Sequence, residues 1–247
     1  MNMPAHRGFT IIEVMLFLAI SGVMAALLLG GWTLMINTQR YKDSTDTVYG
    51  YIQDQYNLVY NVENERSSSL TCTSGGQIVN GTGDSRGQSD CVLMGRFIKL
   101  TNGTTFRSYA VVGREPSAGA AGSDTDIIKS YNPTVVGQSI GLSEVEQVVP
   151  WGAVIEGQAG NTDSLNLNIM LLRSPESGIV HRYIANGSSQ VDPVIDLSEI
   201  KNDNEDDDVM FCFEPGVMVQ GGKQAVVIRK YASSRNSVET LGSDNGC

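Results

Sequence analysis

Histidine and basic residues are scarce in this chain, and each shortage excludes a class of function. The 247 residues include only two histidines, too few for a histidine-based metal cluster or catalytic relay. The 17 Lys and Arg residues are outnumbered by 27 Asp and Glu, which gives a net charge of -10. That balance excludes a generally basic nucleic-acid binder, although it allows a local basic patch. The phosphate-binding pattern Gly-x-x-x-x-Gly-Lys is also missing, so we expect neither an enzyme nor a bound cofactor.

A long apolar run near the N-terminus dominates the sequence. Phe9 to Ile36 contains one charged residue, Glu13. About 20 apolar residues span a bilayer core, so the run is long enough to cross a membrane. A secretory signal has a shorter apolar core, of roughly 7–15 residues, and a cleavage site after it. Because this run continues into a helical pattern without a turn, we favour a retained membrane helix over a cleaved signal peptide.

Glu13 and the residues before it carry a recognisable motif. A carboxylate inside an apolar helix costs about 2.5–3.5 kcal/mol on insertion scales, so it usually has a partner unless it lies near the membrane surface. The segment Arg7–Val14, RGFTIIEV, resembles the class III signal of type IV pilins and pseudopilins. The resemblance implies that a prepilin peptidase cuts between Gly8 and Phe9 and that the new N-terminus at Phe9 is methylated. It also implies that Glu13 pairs with the Phe9 amine of a neighbouring subunit and sets the register of a helical stack, since each charge would be costly alone.

The resemblance divides the chain into four expected parts. Residues 1–8 are the leader, 9–36 the transmembrane and filament-core helix, 37–63 its amphipathic continuation, and 64–247 a globular β domain. A bitopic membrane protein with a juxtamembrane helix is the alternative. The continuation is predicted from apolar positions at helical spacing, with tyrosines beside them. These positions are Thr45, Val48, Ile52, Val59 and Val62, with Tyr41, Tyr49, Tyr56 and Tyr60.

Three glycines interrupt the apolar run. Gly22, Gly30 and Gly31 each weaken the helix by about 1 kcal/mol relative to alanine. Many pilins carry a glycine and then a proline at comparable places, and that stretch unwinds in the filament; here the second place is Gly30. Two interpretations stay open, which are local unwinding and close helix–helix packing through small residues.

Strand patterns dominate from about residue 70. Alternating apolar positions predict half-buried strands, and Asn102-Gly103 is a strong hairpin signal. We expect an α+β fold with the long helix packed on an antiparallel sheet. The ending around Pro215-Gly216 also resembles the C-terminal hairpin of H-type minor pilins and pseudopilins. The predicted strands are Gln77–Val79, Val92–Leu100, Thr105–Gly113, Val148–Glu156, Ser164–Leu172, Ile179–Ala185, Val209–Phe213 and Ala225–Tyr231.

Four cysteines follow the apolar run, and they allow three pairings if the domain is exported. We favour Cys72 with Cys91, closing a glycine-rich loop, and Cys212 with Cys247, attaching the C-terminus to a strand. Each bond would add about 3–4 kcal/mol in the chain-entropy model. A loop closed by a disulfide at the C-terminus is also a point of resemblance to pilins. Free thiols are the alternative. A zinc site does not compete with these two interpretations, since no zinc-binding spacing is present.

An acidic run is the one candidate metal site. Its members are oxygen donors of the kind that Ca2+ takes in sets of six to eight. The glycine and the distal glutamate of an EF-hand are missing, so we prefer a solvated loop and expect no metal. The candidate ligands are Asp203, Glu205, Asp206, Asp207 and Asp208.

A modest basic cluster near the C-terminus is the candidate DNA contact. Cations beside an aromatic ring suit phosphate contact and base stacking. An ordinary strand end with exposed charges explains the same residues, and we prefer that interpretation. The cluster consists of Arg229, Lys230, Tyr231 and Arg235.

These patterns predict a pilin-like structural subunit, and the length of the chain favours a minor pilin. The expected partners are other pilin subunits in a helical homo- or hetero-polymer, the prepilin peptidase, the assembly platform and the membrane. The precursor would lie in the cytoplasmic membrane and the assembled subunit in a surface filament, with its β domain outside the cytoplasm. Such filaments serve adhesion, motility or DNA uptake. The alternatives are a pseudopilin of a type II-like secretion system and a DNA-binding minor pilin for competence.

Overall fold

One 50-residue helix, α1 (Ile11–Tyr60), carries the whole apolar run. The computed structural model describes residues 8–61, 70–73, 78–81, 91–117, 119–136, 145–157, 165–186, 200, 206–214, 222–242 and 247. The helix continues unbroken through Gly22, Gly30 and Gly31. A Cβ added at any of the three would meet nothing within 4 Å, so no packing within the described chain requires a glycine there.

The two halves of α1 differ in burial. Up to Ile36, almost every large apolar side chain is exposed. Beyond it, one face packs on the rest of the molecule, as the helical spacing predicts. Tyr60, one of the tyrosines predicted beside the apolar positions, is 55% exposed at the end of the helix. The buried residues are Tyr41, Ser44, Thr45, Val48, Tyr51, Ile52, Gln55, Tyr56 and Val59.

Twelve strands and a second short helix, α2 (Asp124–Ser130), follow α1 in the described residues. The strands are β1 (Leu70–Cys72), β2 (Ile78–Asn80), β3 (Cys91–Thr101), β4 (Thr105–Arg114), β5 (Thr134–Val135), β6 (Val145–Val148), β7 (Ile155–Glu156), β8 (Leu167–Arg173), β9 (Val180–Asn186), β10 (Val209–Phe213), β11 (Gln224–Ile228) and β12 (Val238–Leu241).

The strands form antiparallel sheets, which confirms the α+β fold. The first sheet has the order β5-β4-β3-β8-β9, and β6 also pairs with β4. The second sheet has the order β12-β11-β10-β7, and β1 pairs with β2 in a small ribbon. Every pair within these sheets is antiparallel.

The tight β3–β4 turn follows from Asn102-Gly103, as predicted. Both residues have left-handed φ angles, 52° and 63°, which asparagine and glycine tolerate best. A Cβ at Gly103 would lie 2.2 Å from the carbonyl oxygen of Ile155. Glycine is therefore required both for the turn and for its close contact with β7.

The amphipathic half of α1 lies against both main sheets, and its buried side chains belong to the largest apolar cluster of the described residues. Ring contacts join Tyr51 of α1 to Phe106 of β4 and Phe106 to Phe211 of β10. Tyr41 adds a polar link: its hydroxyl donates to the carbonyl of Phe213 and accepts from the N–H of Gln224, each at 2.7 Å. Because Tyr41 is only 5% exposed, burial raises the pKa of its hydroxyl and water does not compete for these bonds.

Two strand predictions are wrong in detail. The expected strand Val148–Glu156 is interrupted by a 3-10 turn, Pro150–Gly152, since proline cannot donate in a ladder. The expected strand Ala225–Tyr231 ends at Ile228, because Tyr231 turns into a left-handed conformation at φ 52°.

Candidate assembly site at the N-terminus

The predicted cleavage junction lies in exposed backbone before the helix. Gly8, Phe9 and Thr10 are not helical. The side chain of Phe9 is 87% exposed, and a Cβ at Gly8 would meet nothing within 4 Å. Proteases prefer exposed segments that are not tied into regular structure, so this geometry is compatible with cleavage between Gly8 and Phe9.

Thr10 and Glu13 form a capping box at the start of α1. The Glu13 carboxylate accepts from the Thr10 N–H at 2.9 Å and from its hydroxyl at 3.0 Å. The Glu13 N–H donates to the Thr10 hydroxyl at 3.4 Å. This arrangement satisfies N–H groups that a helix start leaves without partners. It also turns the carboxylate toward the N-terminus, because the N–H that it accepts from belongs to Thr10, the residue after Phe9.

The apolar half of α1 is the membrane candidate. By length and composition α1 is able to cross a membrane, and none of its most apolar stretch is buried within the chain. The core helix of a soluble protein would have buried that surface. An exposed apolar helix of this length needs a lipid or protein environment to cover it.

Trp151 lies beside α1 just beyond the apolar half. Its ring is 4.9 Å from the Arg40 guanidinium carbon, and its indole N–H donates to Asp43 at 2.6 Å. The hydroxyl of Ser44 donates to the carbonyl of Pro150 at 3.0 Å, which fixes the same turn. Trp151 has φ 62°, a conformation that costs a bulky residue on the order of 1–3 kcal/mol. Its side chain is nevertheless 60% exposed.

The structure joins Cys212 and Cys247 through a disulfide. Cys212 is buried in β10, so the bond attaches the last residue of the chain to the second sheet. Cys91 is also disulfide-bonded, and no described cysteine is free. The side chain of Cys72 lies outside the described residues, so its pairing with Cys91 stays a prediction.

The acidic run is only partly described. Asp203 and Glu205 lie outside the described residues. The Asp206 carboxylate accepts a hydrogen bond from the hydroxyl of Tyr231, and the carbonyl of Asp207 accepts one from a buried arginine. Within the described residues, no group of three or more His, Cys, Asp or Glu side chains is placed to hold a metal ion.

The basic cluster is neutralised at its centre. The Arg229 guanidinium contacts Glu239 at 2.7 Å and Asp208 at 2.9 Å. A hydrogen bond from the Lys230 N–H, helped by Arg229, lowers the pKa of Asp208, which keeps that carboxylate charged. Lys230 and Arg235 are exposed. With two carboxylates on Arg229, the cluster offers a phosphate less positive charge than the sequence suggests.

His181 belongs to a hydrogen-bonded cluster around Asp124, the first residue of α2. The hydroxyls of Ser174 and Ser177 donate to the Asp124 carboxylate at 3.0 Å and 2.6 Å, and His181 Nε2 lies 3.1 Å from it. A nucleophilic relay needs the imidazole against a hydroxyl, whereas here both hydroxyls point to the carboxylate. The cluster therefore fastens α2 to the turn between β8 and β9.

One hydrolase-like spacing does occur in the sequence. Residues 83–87 read Gly-Asp-Ser-Arg-Gly and lie outside the described residues. The next described element is the strand β3, whereas a nucleophile elbow places its serine between a strand and a helix. The spacing lacks the context that its chemistry requires.

Replacing Asp124 by asparagine should make stability less dependent on pH. Burial raises the pKa of Asp124, but hydrogen bonds from Ser177, His181 and Ser174 outweigh it, so the pKa lies below its ordinary value of 3.8. A carboxylate with a lowered folded-state pKa stabilises the fold above its unfolded pKa and loses that effect as pH falls through the folded value. We expect Asp124→Asn to cost about 1–2 kcal/mol at pH 7 and less at pH 2, because the carboxylate loses its stabilising effect as the pH falls.

Denaturant unfolding of the full chain in detergent, at both pH values, measures this difference. Asp54→Asn is the matched control, because Asp54 is an exposed carboxylate on α1 and should change little at either pH. An equal loss for Asp124→Asn at both pH values would contradict the expectation.

Comparison with known families matches the start of the chain. Residues 3–29 match the prokaryotic N-terminal methylation motif, which is the class III prepilin signal and agrees with the type IV pilin and pseudopilin family. No curated protein and no solved structure matches the chain. The motif and the exposed apolar helix support a membrane-anchored, pilin-like or pseudopilin precursor. They point to a structural subunit rather than an enzyme.

Two residues of this region were not singled out by the sequence patterns. Thr10 was detectable, because Thr-x-x-Glu before an apolar run is the signature of a capping box. Trp151 was not, because it lies 108 positions from its partner Asp43 and only the fold brings the two together.

Proposed function

We propose that this chain is a minor pilin, a structural subunit of a type IV filament. It is made as a membrane-anchored precursor, cut between Gly8 and Phe9, and methylated at Phe9. The filament then buries the apolar half of α1 against neighbouring subunits. The observation that carries the proposal is an exposed apolar helix half that lies largely within the matched methylation motif, residues 3–29, and holds the Glu13 carboxylate in its first turn.

The capping geometry supports the role proposed for Glu13. The carboxylate is held at the start of the helix by Thr10, close to where cleavage would create the Phe9 amine. In the filament that carboxylate meets the amine of an adjacent subunit. Breaking a buried pair by removing one partner costs about 3–5 kcal/mol, so the pair would favour one register over its neighbours.

The size of the globular region supports a minor rather than a major subunit. The described region after α1 contains twelve strands and α2, and a globular region of this size is large for a main repeating pilin. The C-terminal strands β10 and β11 pair antiparallel, an arrangement that is compatible with the H-type ending but common to any β hairpin. DNA capture is not part of the proposal, since Arg229 is already paired with carboxylates.

Quantitative mass spectrometry of fibres sheared from the cell surface tests this proposal. We expect a trace-level N-terminal peptide that begins at methylated Phe9. High abundance in the fibres would indicate a major pilin instead. Absence from fibres, with cleaved protein left in the membrane, would indicate a secretion pseudopilin. An N-terminal peptide that retains residues 1–8 in fibres would contradict the processing step itself.

A further inference from the structure

Trp151 lies beside α1 at the end of its apolar half, next to Arg40 and Asp43. It lines one shallow groove together with Ile36, Gln39, Arg40, Lys42, Asp43 and Asp46. Ile36 is the last residue of the apolar run, so the exposed apolar surface of α1 continues directly onto the indole. The contact between helix and turn fixes the position of Trp151 along the helix axis.

Helix geometry sets the depth of this groove. From Ile11 to Ile36 the helix is about 40 Å long at a rise of 1.5 Å per residue, close to the 40–45 Å of a bilayer with its headgroups. Arg40 lies only about 6 Å beyond Ile36, and Asp43 about 10 Å beyond it. At the tilt of about 20° that membrane helices have on average, Arg40 and Asp43 lie about 41–45 Å above Ile11 along the membrane normal. In the membrane-anchored precursor, with Ile11 at the inner headgroups, Trp151 is therefore at the level of the outer headgroups.

The order of charges along α1 fits that position. No charged residue lies between Glu13 and Arg40, and the first two charges outside the membrane are the cations Arg40 and Lys42. Arginine and lysine near a membrane surface attract lipid phosphates and extend their stems along apolar surface. The acidic residues Asp43 and Asp46 come next, farther from the bilayer. The Asp43 carboxylate accepts a hydrogen bond from the indole N–H of Trp151.

The conformation of Trp151 is unusual for an unburied side chain. Its left-handed backbone is held in place by Asp43, Arg40 and the contact between Ser44 and Pro150. These contacts orient an amphipathic ring outward instead of burying it. Tryptophan with an apolar body and one polar N–H is the side chain most typical of the membrane interface.

We infer that Trp151, with Arg40 and Lys42, is an interfacial anchor that binds the outer lipid headgroups. The anchor fixes the depth and tilt of the globular region while the precursor waits in the membrane. It rests on the membrane-anchored state of the proposed function, but not on filament assembly. A second copy of the chain on the same groove is the competing occupant, and the test below distinguishes the two.

The chain has two tryptophans, Trp32 and Trp151, so single substitutions isolate each one. Full-length Trp32→Phe, which reports Trp151 alone, is placed in phosphatidylethanolamine–phosphatidylglycerol vesicles that carry a nitroxide either on the headgroup or on the acyl chain. We expect about two-fold or more stronger quenching by the headgroup label, because the labels differ in depth by about 10 Å in a bilayer with a ~30 Å core. The matched variant Trp151→Phe reports Trp32, which the acyl label should quench more strongly.

The outcomes separate the inference from the proposed function. If Trp32 is quenched by the acyl label and Trp151 by neither label, the anchor is wrong and the membrane helix stands. A second measurement is quenching of Trp151 fluorescence by aqueous iodide at several ratios of protein to lipid. If protection from iodide increases with the density of protein in the vesicles and does not depend on the lipid, a second copy occupies the groove and the anchor is again wrong. If Trp32 is not quenched from the acyl chain, the helix does not insert and both the anchor and the proposed precursor are overturned.

Discussion

Glu13→Gln protein should insert into the membrane and lose its leader, yet fail to enter fibres. Glutamine removes the negative charge that would meet the Phe9 amine of an adjacent subunit. It still suits the third position of a capping box, so the start of α1 stays intact. A charge left without its partner in a dry core costs about 3–5 kcal/mol, which weakens each subunit contact by on the order of 10²- to 10³-fold. Immunodetection of sheared fibres, compared with the membrane fraction, measures the loss.

Thr10→Ala is the control that separates charge from capping. It removes the hydroxyl that contacts Glu13 but keeps the carboxylate. A lost N-cap costs only about 0.5–2 kcal/mol, so this variant should still form fibres in reduced amount. Normal fibres from Glu13→Gln would refute the role proposed for the carboxylate, and equal defects in both variants would assign the effect to the cap.

Removing the C-terminal disulfide by Cys247→Ser should lower the free energy of unfolding by about 3–4 kcal/mol in the chain-entropy model. The bond closes a loop between residues 35 positions apart. It also attaches the chain end to β10, the strand that pairs with both β11 and β7. Without the bond, the unfolded chain is no longer closed into this loop and gains conformational entropy, which favours unfolding. Urea unfolding of the full chain in detergent, followed by circular dichroism, measures the difference.

Reduction provides the comparison for this variant. In a reducing buffer the wild type loses its own Cys212–Cys247 bond, so the gap between wild type and Cys247→Ser should close. A loss below about 1 kcal/mol under oxidising conditions would show that the sheet contacts hold the C-terminus without the bond, against the loop-closure argument.

Local patterns predicted the parts of the fold that depend on neighbouring residues. Asn102-Gly103 has the backbone freedom for a hairpin, and the structure places it between β3 and β4. Val209–Phe213 was predicted with its observed bounds. The methylation motif belongs to the same class, because leader, glycine, aromatic and acid are adjacent in sequence. In each case the physical constraint acts within a few residues.

The missed parts have two kinds of cause. α2 was hidden in a glycine- and serine-rich stretch, although Ser123 and Asp126 form a capping box there and their spacing was visible in the sequence. The neutralised state of Arg229 was not visible, since Glu239 and Asp208 reach it only through the pairing of β12 and β10 with β11. Charge in the sequence therefore overstated the charge available at the surface.

Tyr41 has a mechanical consequence in the proposed filament. Axial tension on a polymer of helices would run along α1 and enter the globular region at Tyr41, the first buried residue of the helix. At that point one hydroxyl ties α1 to the ends of β10 and β11, out of reach of water. β10 is in turn linked covalently to the last residue of the chain. A pull on the core would thus load the second sheet through Tyr41 before it loads the first sheet, which α1 contacts farther along the helix, through Tyr51 and Phe106.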